Sequence, residues 1–157
     1  MNSSPVNETK LSKTLVGIAG EYFVAGELSR RGLIAAVTLR NTRGIDILVS
    51  RPGGQTSATI QVKTLLDPNP SWMLSKSDET PKGPNHYYVF VVLNGRDGRP
   101  EYHVVNGDLV ASRCSTEHQE WLKGNKRDGS RRKDTDMREF RPRAEENFRD
   151  RWDDIKV

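Results

Sequence analysis

"RGIDILVSRPGGQTSATIQVK", Arg43 to Lys63, decides how this chain is read. Two short aliphatic and β-branched runs, IDILVS (45–50) and TSATIQVK (56–63), flank RPGGQ, which has turn chemistry. With the turn centred between Gly53 and Gly54, antiparallel pairing sets opposite each other residues whose numbers sum to 107, so Asp46 faces Gln61. Alternation then groups Ile45, Ile47 and Val49 with Ile60 and Val62, and leaves Asp46, Gln61 and Lys63 on the other face. Asp, Gln and Lys are poor strand residues unless something at the strand ends needs them. Three of them converging on an apolar hairpin mark a candidate site.

The segment before the hairpin adds a fourth group. From Thr14 onward the pattern is helical, with Leu15, Ile18, Tyr22, Ala25 and Gly26 assigned to one face. Thr14 reads as the N-cap and Gly32 as the C′ glycine, a helix of about five turns. Gly17, Gly20 and Gly26 lie inside it, and each costs roughly 1 kcal/mol relative to Ala. Their presence implies close approach of another backbone or side chain. Glu27 falls opposite the apolar stripe, where a solvated carboxylate belongs. Glu21 falls between Ala25 and Leu28 on the flank of the buried face, where a carboxylate must be paired, hydrogen-bonded or bound to a cation.

Such a cluster has a specific chemistry. Mg²⁺ takes oxygen ligands in an octahedron and keeps several waters. Asp46 offers a charged oxygen, Gln61 a neutral amide oxygen, and Glu21 a second charge, direct or through water. Lys63 projects to the same face as a point charge. It can orient or deprotonate an attacking water and steady negative charge growing on a phosphate.

Beyond the hairpin, AAVTLR (35–40), HYYVFVVL (86–93) and EYHVV (101–105) read as strands, the last two as a hairpin around NGRDGRP. Residues 66–85 hold four prolines and no clean period, and read as a long loop. GDLVASRCSTEHQEWLKG suggests one or two helical pieces ending at Gly124, 123–141 a charge-dense irregular segment, and RAEENFRDRWDDIK a short terminal helix. The organisation expected is a flexible N-terminus (1–13), a main domain (14–122), and a charged loop and helix (123–157) completing that domain. A chain of 157 residues suffices for one core without staples.

Composition narrows the class. The net charge is +4, and +3 of it lies in residues 123–157, where 12 Lys/Arg outnumber 9 Asp/Glu. That favours an anionic partner without the dense basic patch that would decide it. The single cysteine, Cys114, excludes an intrachain disulfide and a Cys-cluster zinc site, and fits a reducing cytoplasm. No apolar run approaches the length of a membrane span, and MNSSPVNETK does not look like a secretory signal.

Glu21 in GIAGEYFVAGEL, Asp46 in GIDILV, and Gln61 and Lys63 in QVK together resemble the PD-(D/E)XK superfamily, the restriction-endonuclease-like nucleases. The order helix-Glu, strand-Asp, strand-Gln-x-Lys is more specific than any one motif. It is most similar to the Gln-x-Lys branches, such as the Mrr-like enzymes. The run QVKT…W…YYVFVVLN…YHVV…EHQEWL is also similar to intron-associated endonucleases. The motifs cover residues 15–63, and the looser likeness reaches about residue 122. The resemblance implies an α/β fold in which an N-terminal helix packs on a central mixed β-sheet with C-terminal helices. It further implies Mg²⁺- or Mn²⁺-dependent cleavage of nucleic acid, DNA being the expected substrate, with Glu21, Asp46, Gln61 and Lys63 as catalytic positions. Asp46, Gln61, the backbone carbonyl of Val62 and Glu21, directly or through water, would hold the metal. Ile45 replaces the name-giving proline, a structural position. Gln61 replaces the more usual carboxylate and lowers the negative charge of the site. The helix that usually follows the lysine strand has no counterpart after Lys63. A catalytically weakened module of the same fold, binding nucleic acid or protein, is the rival. A homodimer presenting two sites to two strands is compatible with the size.

Other candidates carry blander readings. His86 and His103 lack a second ligand at metal spacing and read as structural. His118 reads as a helix-surface residue or as packed on Trp121. Trp72 suits either base stacking or a satellite core. Lys126, Arg127, Arg131, Arg132 and Lys133 suit either a phosphate backbone or a solvated loop.

Overall fold

The computed structural model describes residues 11–39, 44–69 and 71–157. The decisive hairpin forms in the register the alternation predicts. Strand β2 (Ile47–Ser50) pairs antiparallel with β3 (Ser57–Leu65), Ile47 opposite Ile60 and Val49 opposite Ala58. Gly53 turns the corner with φ +69°. Strand β1 (Ile34–Val37) adds antiparallel to β2. After a long connection β5 (His86–Val92) joins β3 in parallel, and β6 (Glu101–Asn106) pairs antiparallel with β5. The result is a five-stranded mixed sheet in the order β1-β2-β3-β5-β6.

The fold is α/β. Helix α1 (Lys13–Ser29) covers one face of this sheet and α2 (Gly107–Leu122) the other. Alternation along β5 shows the division. Tyr87, Val89 and Val91 pack with Val24 and Leu28 of α1, whereas Tyr88, Phe90 and Val92 pack with Val110 and Cys114 of α2. The N-terminal helix on a mixed sheet, as the resemblance implies, is therefore present. Among the described residues, no α-helix lies between β3 and β5. The connection from β3 to β5 instead carries β4 (Trp72–Ser75) and a 3-10 turn (Lys76–Glu79).

Four local expectations are corrected. The buried stripe of α1 is Val16, Gly20, Val24 and Leu28, not the stripe through Leu15 and Tyr22, both exposed. The N-cap is Ser12, whose hydroxyl accepts from the Leu15 amide at 3.2 Å; Gly32 does take positive φ after the helix. The segment read as a loop contains β4, which pairs with β7 (Met137–Phe140) in a second, two-stranded sheet. Strands of four residues paired across more than sixty positions leave no local periodicity.

The fourth correction concerns the terminal helix, which is only a 3-10 turn, Trp152–Asp154. Phe148 packs on the α2 side of the sheet, while Trp152 and Ile155 enter the α1 side. One helical face cannot serve both sides, and Asp150 breaks the path with φ +53°. Arg113 of α2 ties down the charged segment before it. It donates to Glu146 at 2.6 Å, Glu117 at 3.0 Å and the Arg141 carbonyl at 2.6 Å, and lies over the Phe140 ring. The expected flexible N-terminus falls mostly outside the described residues.

Candidate active site

Asp46 stands where β2 parts from β3. Its amide donates to the Ile60 carbonyl at 2.8 Å, and one carboxylate oxygen accepts from the Val62 amide at 2.7 Å. Backbone amides lie near the plane of the sheet, so this carboxylate sits in the fork rather than on either face. Thr38 closes the other side, its amide on the Asp46 carbonyl at 2.9 Å and its hydroxyl on the Ile45 carbonyl at 2.7 Å. Amide and carbonyl of one strand residue point the same way, so the Val62 carbonyl also faces the fork. Burial raises the Asp46 pKa; the Val62 bond and the charges of Lys63 and Lys82 oppose the rise without cancelling it.

Gln61 and Lys63 lie on the α2 side of the sheet, level with Tyr88 and Phe90 of the parallel neighbour. Asp46 is therefore beside them, at the fork, and not on the same face as the hairpin pattern implied. Glu21 comes from the opposite face. It lines a cleft of about 290 Å³ with Lys13, Thr14, Gly17, Thr38, Leu39 and Asp46. The fork brings Glu21 and Asp46 to one cavity, with Lys63 within electrostatic reach of Asp46 from the other side.

Lys82, absent from the sequence-based site, is the main addition. Its ammonium donates to the Gln61 amide oxygen at 2.7 Å, to the Tyr88 hydroxyl at 3.1 Å and to Asp78 at 3.5 Å. Tyr88 in turn donates to Asp78 at 2.6 Å, and the other Asp78 oxygen accepts from the Ser75 amide at 2.8 Å. An ammonium has three donors, and three acceptors meet them. Burial pushes the Asp78 carboxyl up, but the Tyr88 and Ser75 bonds and the two lysines outweigh it and hold it below its usual value. Burial lowers the Lys82 pKa against the pull of Asp78, and raises that of Tyr88 together with the Asp78 bond. Gly44 lies over the end of Lys82. It has φ +73°, and a Cβ there would lie 2.6 Å from the ammonium nitrogen.

The remaining candidates take structural positions. His86 is fully buried against Thr59 at 2.7 Å, and burial, with Lys82 nearby, lowers its pKa to about 4. His103 packs edge-on against Trp72. Trp72 is buried on Phe90 with its indole N–H on the Val91 carbonyl at 3.2 Å, so it fills a satellite core and is not an exposed stacking platform. His118 stacks on Trp121 and bonds Asp134 at 2.8 Å. Arg132 lies over Trp121, while Lys126, Arg127, Arg131 and Lys133 are exposed. A second cavity, about 460 Å³, lies between α2 and the β4–β7 pair, lined by Met73, Cys114, Met137 and their neighbours, away from Asp46.

Among the described residues, no three His, Cys, Asp or Glu side chains gather as a metal-holding group. Among the oxygens at the fork are the Asp46 carboxylate, the Val62 carbonyl and, across the cleft, the Glu21 carboxylate. Two carboxylates and a carbonyl fit a hard divalent cation that retains much of its water. Gln61, by contrast, has its amide oxygen on Lys82.

Neither a family model nor a curated protein matches the chain. Among solved structures it is similar to Hjc, a Holliday junction resolvase from the archaeal hyperthermophile Archaeoglobus fulgidus. The likeness covers 80% of this chain and 83% of that one, at 12% identity and a TM-score of 0.44, too loose to speak for function.

Proposed function

We propose that the protein is a metal-dependent nuclease that hydrolyses phosphodiester bonds of nucleic acid, DNA before RNA. One observation carries the reading. A partly desolvated carboxylate, Asp46, is fixed by a backbone amide at a strand fork, with a second carboxylate across the cleft and the Lys63 charge beside it. Asp46, the Val62 carbonyl and Glu21 would hold Mg²⁺ or Mn²⁺, Glu21 directly or through water. When bound, such an ion supplies Lewis-acid polarisation of a phosphate oxygen and a more acidic water. The carboxylate and the amide of Asp46 are both tied to β3, which fixes its position. Lys63 contributes a point positive charge that orients the attacking water and stabilises the phosphate as negative charge grows.

Gln61 supports a second reading. Being neutral, and with its oxygen on Lys82, it offers a metal neither charge nor a free ligand oxygen, which favours a module that holds nucleic acid without cutting it. Labelled duplex DNA, single-stranded DNA and RNA, incubated with Mg²⁺ or Mn²⁺, separate the two. Cleavage by the wild type that disappears in Asp46→Ala and Lys63→Ala supports the nuclease. Binding without cleavage supports the module. Cleavage that persists in both variants would sink the site assignment.

A further inference from the structure

We propose that Lys82 is a positioning residue that turns Gln61 into a phosphate-contacting donor, its amide N–H₂ and not its oxygen being what the site offers. This rests on the site reading above and changes the part that Gln61 plays in it.

The orientation of the amide follows from chemistry. A lysine ammonium has donors only, so the Gln61 atom 2.7 Å from Lys82 must be the oxygen. The amide nitrogen therefore points away from Lys82. Lys82 is itself locked: Tyr88 and Asp78 take its other protons, and Gly44 closes over it. Asp78 is almost fully buried and is held by Ser75 and Tyr88, so the whole unit is anchored in the core beneath β3. Releasing the Gln61 oxygen to a metal ion would leave the ammonium one acceptor short in a half-buried position, an unfavourable exchange. An amide N–H₂ on the same face of β3 as Lys63, two residues away, is, in contrast, a match for an anionic phosphodiester oxygen. Gln61 is 9% exposed; the lysine on the 66–85 connection thus takes its oxygen and leaves the amide nitrogen as the group it can offer to substrate.

The test reads metal-free nucleic-acid binding and metal binding separately. With ¹⁵N-labelled protein in EDTA, the Gln61 side-chain amide pair is expected to shift when short duplex DNA is added. Gln61→Leu should weaken that metal-free binding about tenfold while leaving the Mn²⁺ affinity, measured calorimetrically without DNA, unchanged. Lys82→Met should abolish most of the amide shift and raise Mn²⁺ affinity, because it frees the oxygen; general damage to the fold would lower it. Weaker Mn²⁺ binding in Gln61→Leu would overturn the proposal, as would unchanged duplex binding. Gln61→Leu retains the Lys82–Asp78–Tyr88 unit, so the proposal remains open to refutation even if Lys82→Met does not fold. Asp46→Ala separates the two levels. If it leaves Mn²⁺ affinity intact, the metal reading of Asp46 fails while the Gln61 arm is judged on duplex binding alone.

Discussion

Gly20 of α1 sits directly on Thr64 of β3, so closely that a Cβ on the glycine would lie 1.9 Å from the threonine hydroxyl oxygen. The contact sets the height of the helix above the sheet, and Glu21, the next residue, is carried to the cleft at that height. Gly20→Ala is expected to destabilise the protein by about 1–3 kcal/mol, the usual penalty of overpacking. Thr64→Ala in the same chain should recover much of that loss, a coupling that denaturant melts of the double-mutant cycle will read. If the two substitutions simply add, the helix is not seated on this pair.

Asp46→Asn tests whether the carboxylate is held against the preference of the fold. The native pKa lies above the unfolded one, with burial as the leading cause. The protonated form is therefore the favoured one in the folded state, and the stability it contributes is present in acid and lost as pH rises through the native pKa. Asparagine keeps an oxygen for the Val62 amide and removes the charge. The variant should melt higher than the wild type at neutral pH, and the gap should close as pH falls below the ordinary Asp value of 3.8. Equal melting at neutral pH would mean that the fork solvates the charge fully.

His86 works in the opposite sense. Its native pKa of about 4 lies below the unfolded 6.5, because burial and the nearby Lys82 disfavour the imidazolium. The unfolded chain takes up a proton that the native site refuses, so stability should fall as pH drops from 6.5 toward 4, by up to about 3 kcal/mol. His86→Gln should be less stable than wild type above pH 6.5, and that difference should shrink through the same window. Chemical denaturation at a series of pH values measures both slopes. Parallel curves would assign the acid sensitivity to other groups.

The legible and the hidden parts of this molecule differ in a physical way. The β2–β3 register was readable because a glycine turn fixes the pairing and alternation fixes the faces; Ile47 does lie opposite Ile60. What the pattern missed is the divergence at Asp46, whose amide slips onto Ile60 and whose side chain takes the Val62 amide. Such a fork depends on where pairing ends, which alternation does not encode. Of the three helix glycines, Gly20 meets Thr64, but a Cβ on Gly17 or Gly26 would meet nothing within 4 Å. Leu15 and Tyr22 misled the reading of the helix face because exposed apolar side chains are common and carry no periodic mark of their own. Lys82, Asp78 and Tyr88 were invisible as a unit. Two of them lie in a proline-rich connection with no period, and only the parallel docking of β5 on β3 brings Tyr88 level with Gln61.

Gly44 offers a test of how tightly the fork depends on Lys82. An alanine there must adopt φ +73°, which costs about 1–2 kcal/mol on steric grounds alone, and its methyl would press on the Lys82 ammonium. The end of a lysine can move aside, so the steric part is small, but moving it breaks the 2.7 Å bond to Gln61. Gly53, with φ +69° in the β2–β3 turn and no neighbour within 4 Å of a built Cβ, is the matched control. Gly53→Ala should show the backbone penalty and nothing else. Gly44→Ala should show a similar loss in melts together with a displaced Gln61 side-chain amide signal in ¹⁵N-labelled protein. An unmoved amide signal in Gly44→Ala would mean that Lys82 holds Gln61 without help from the glycine above it.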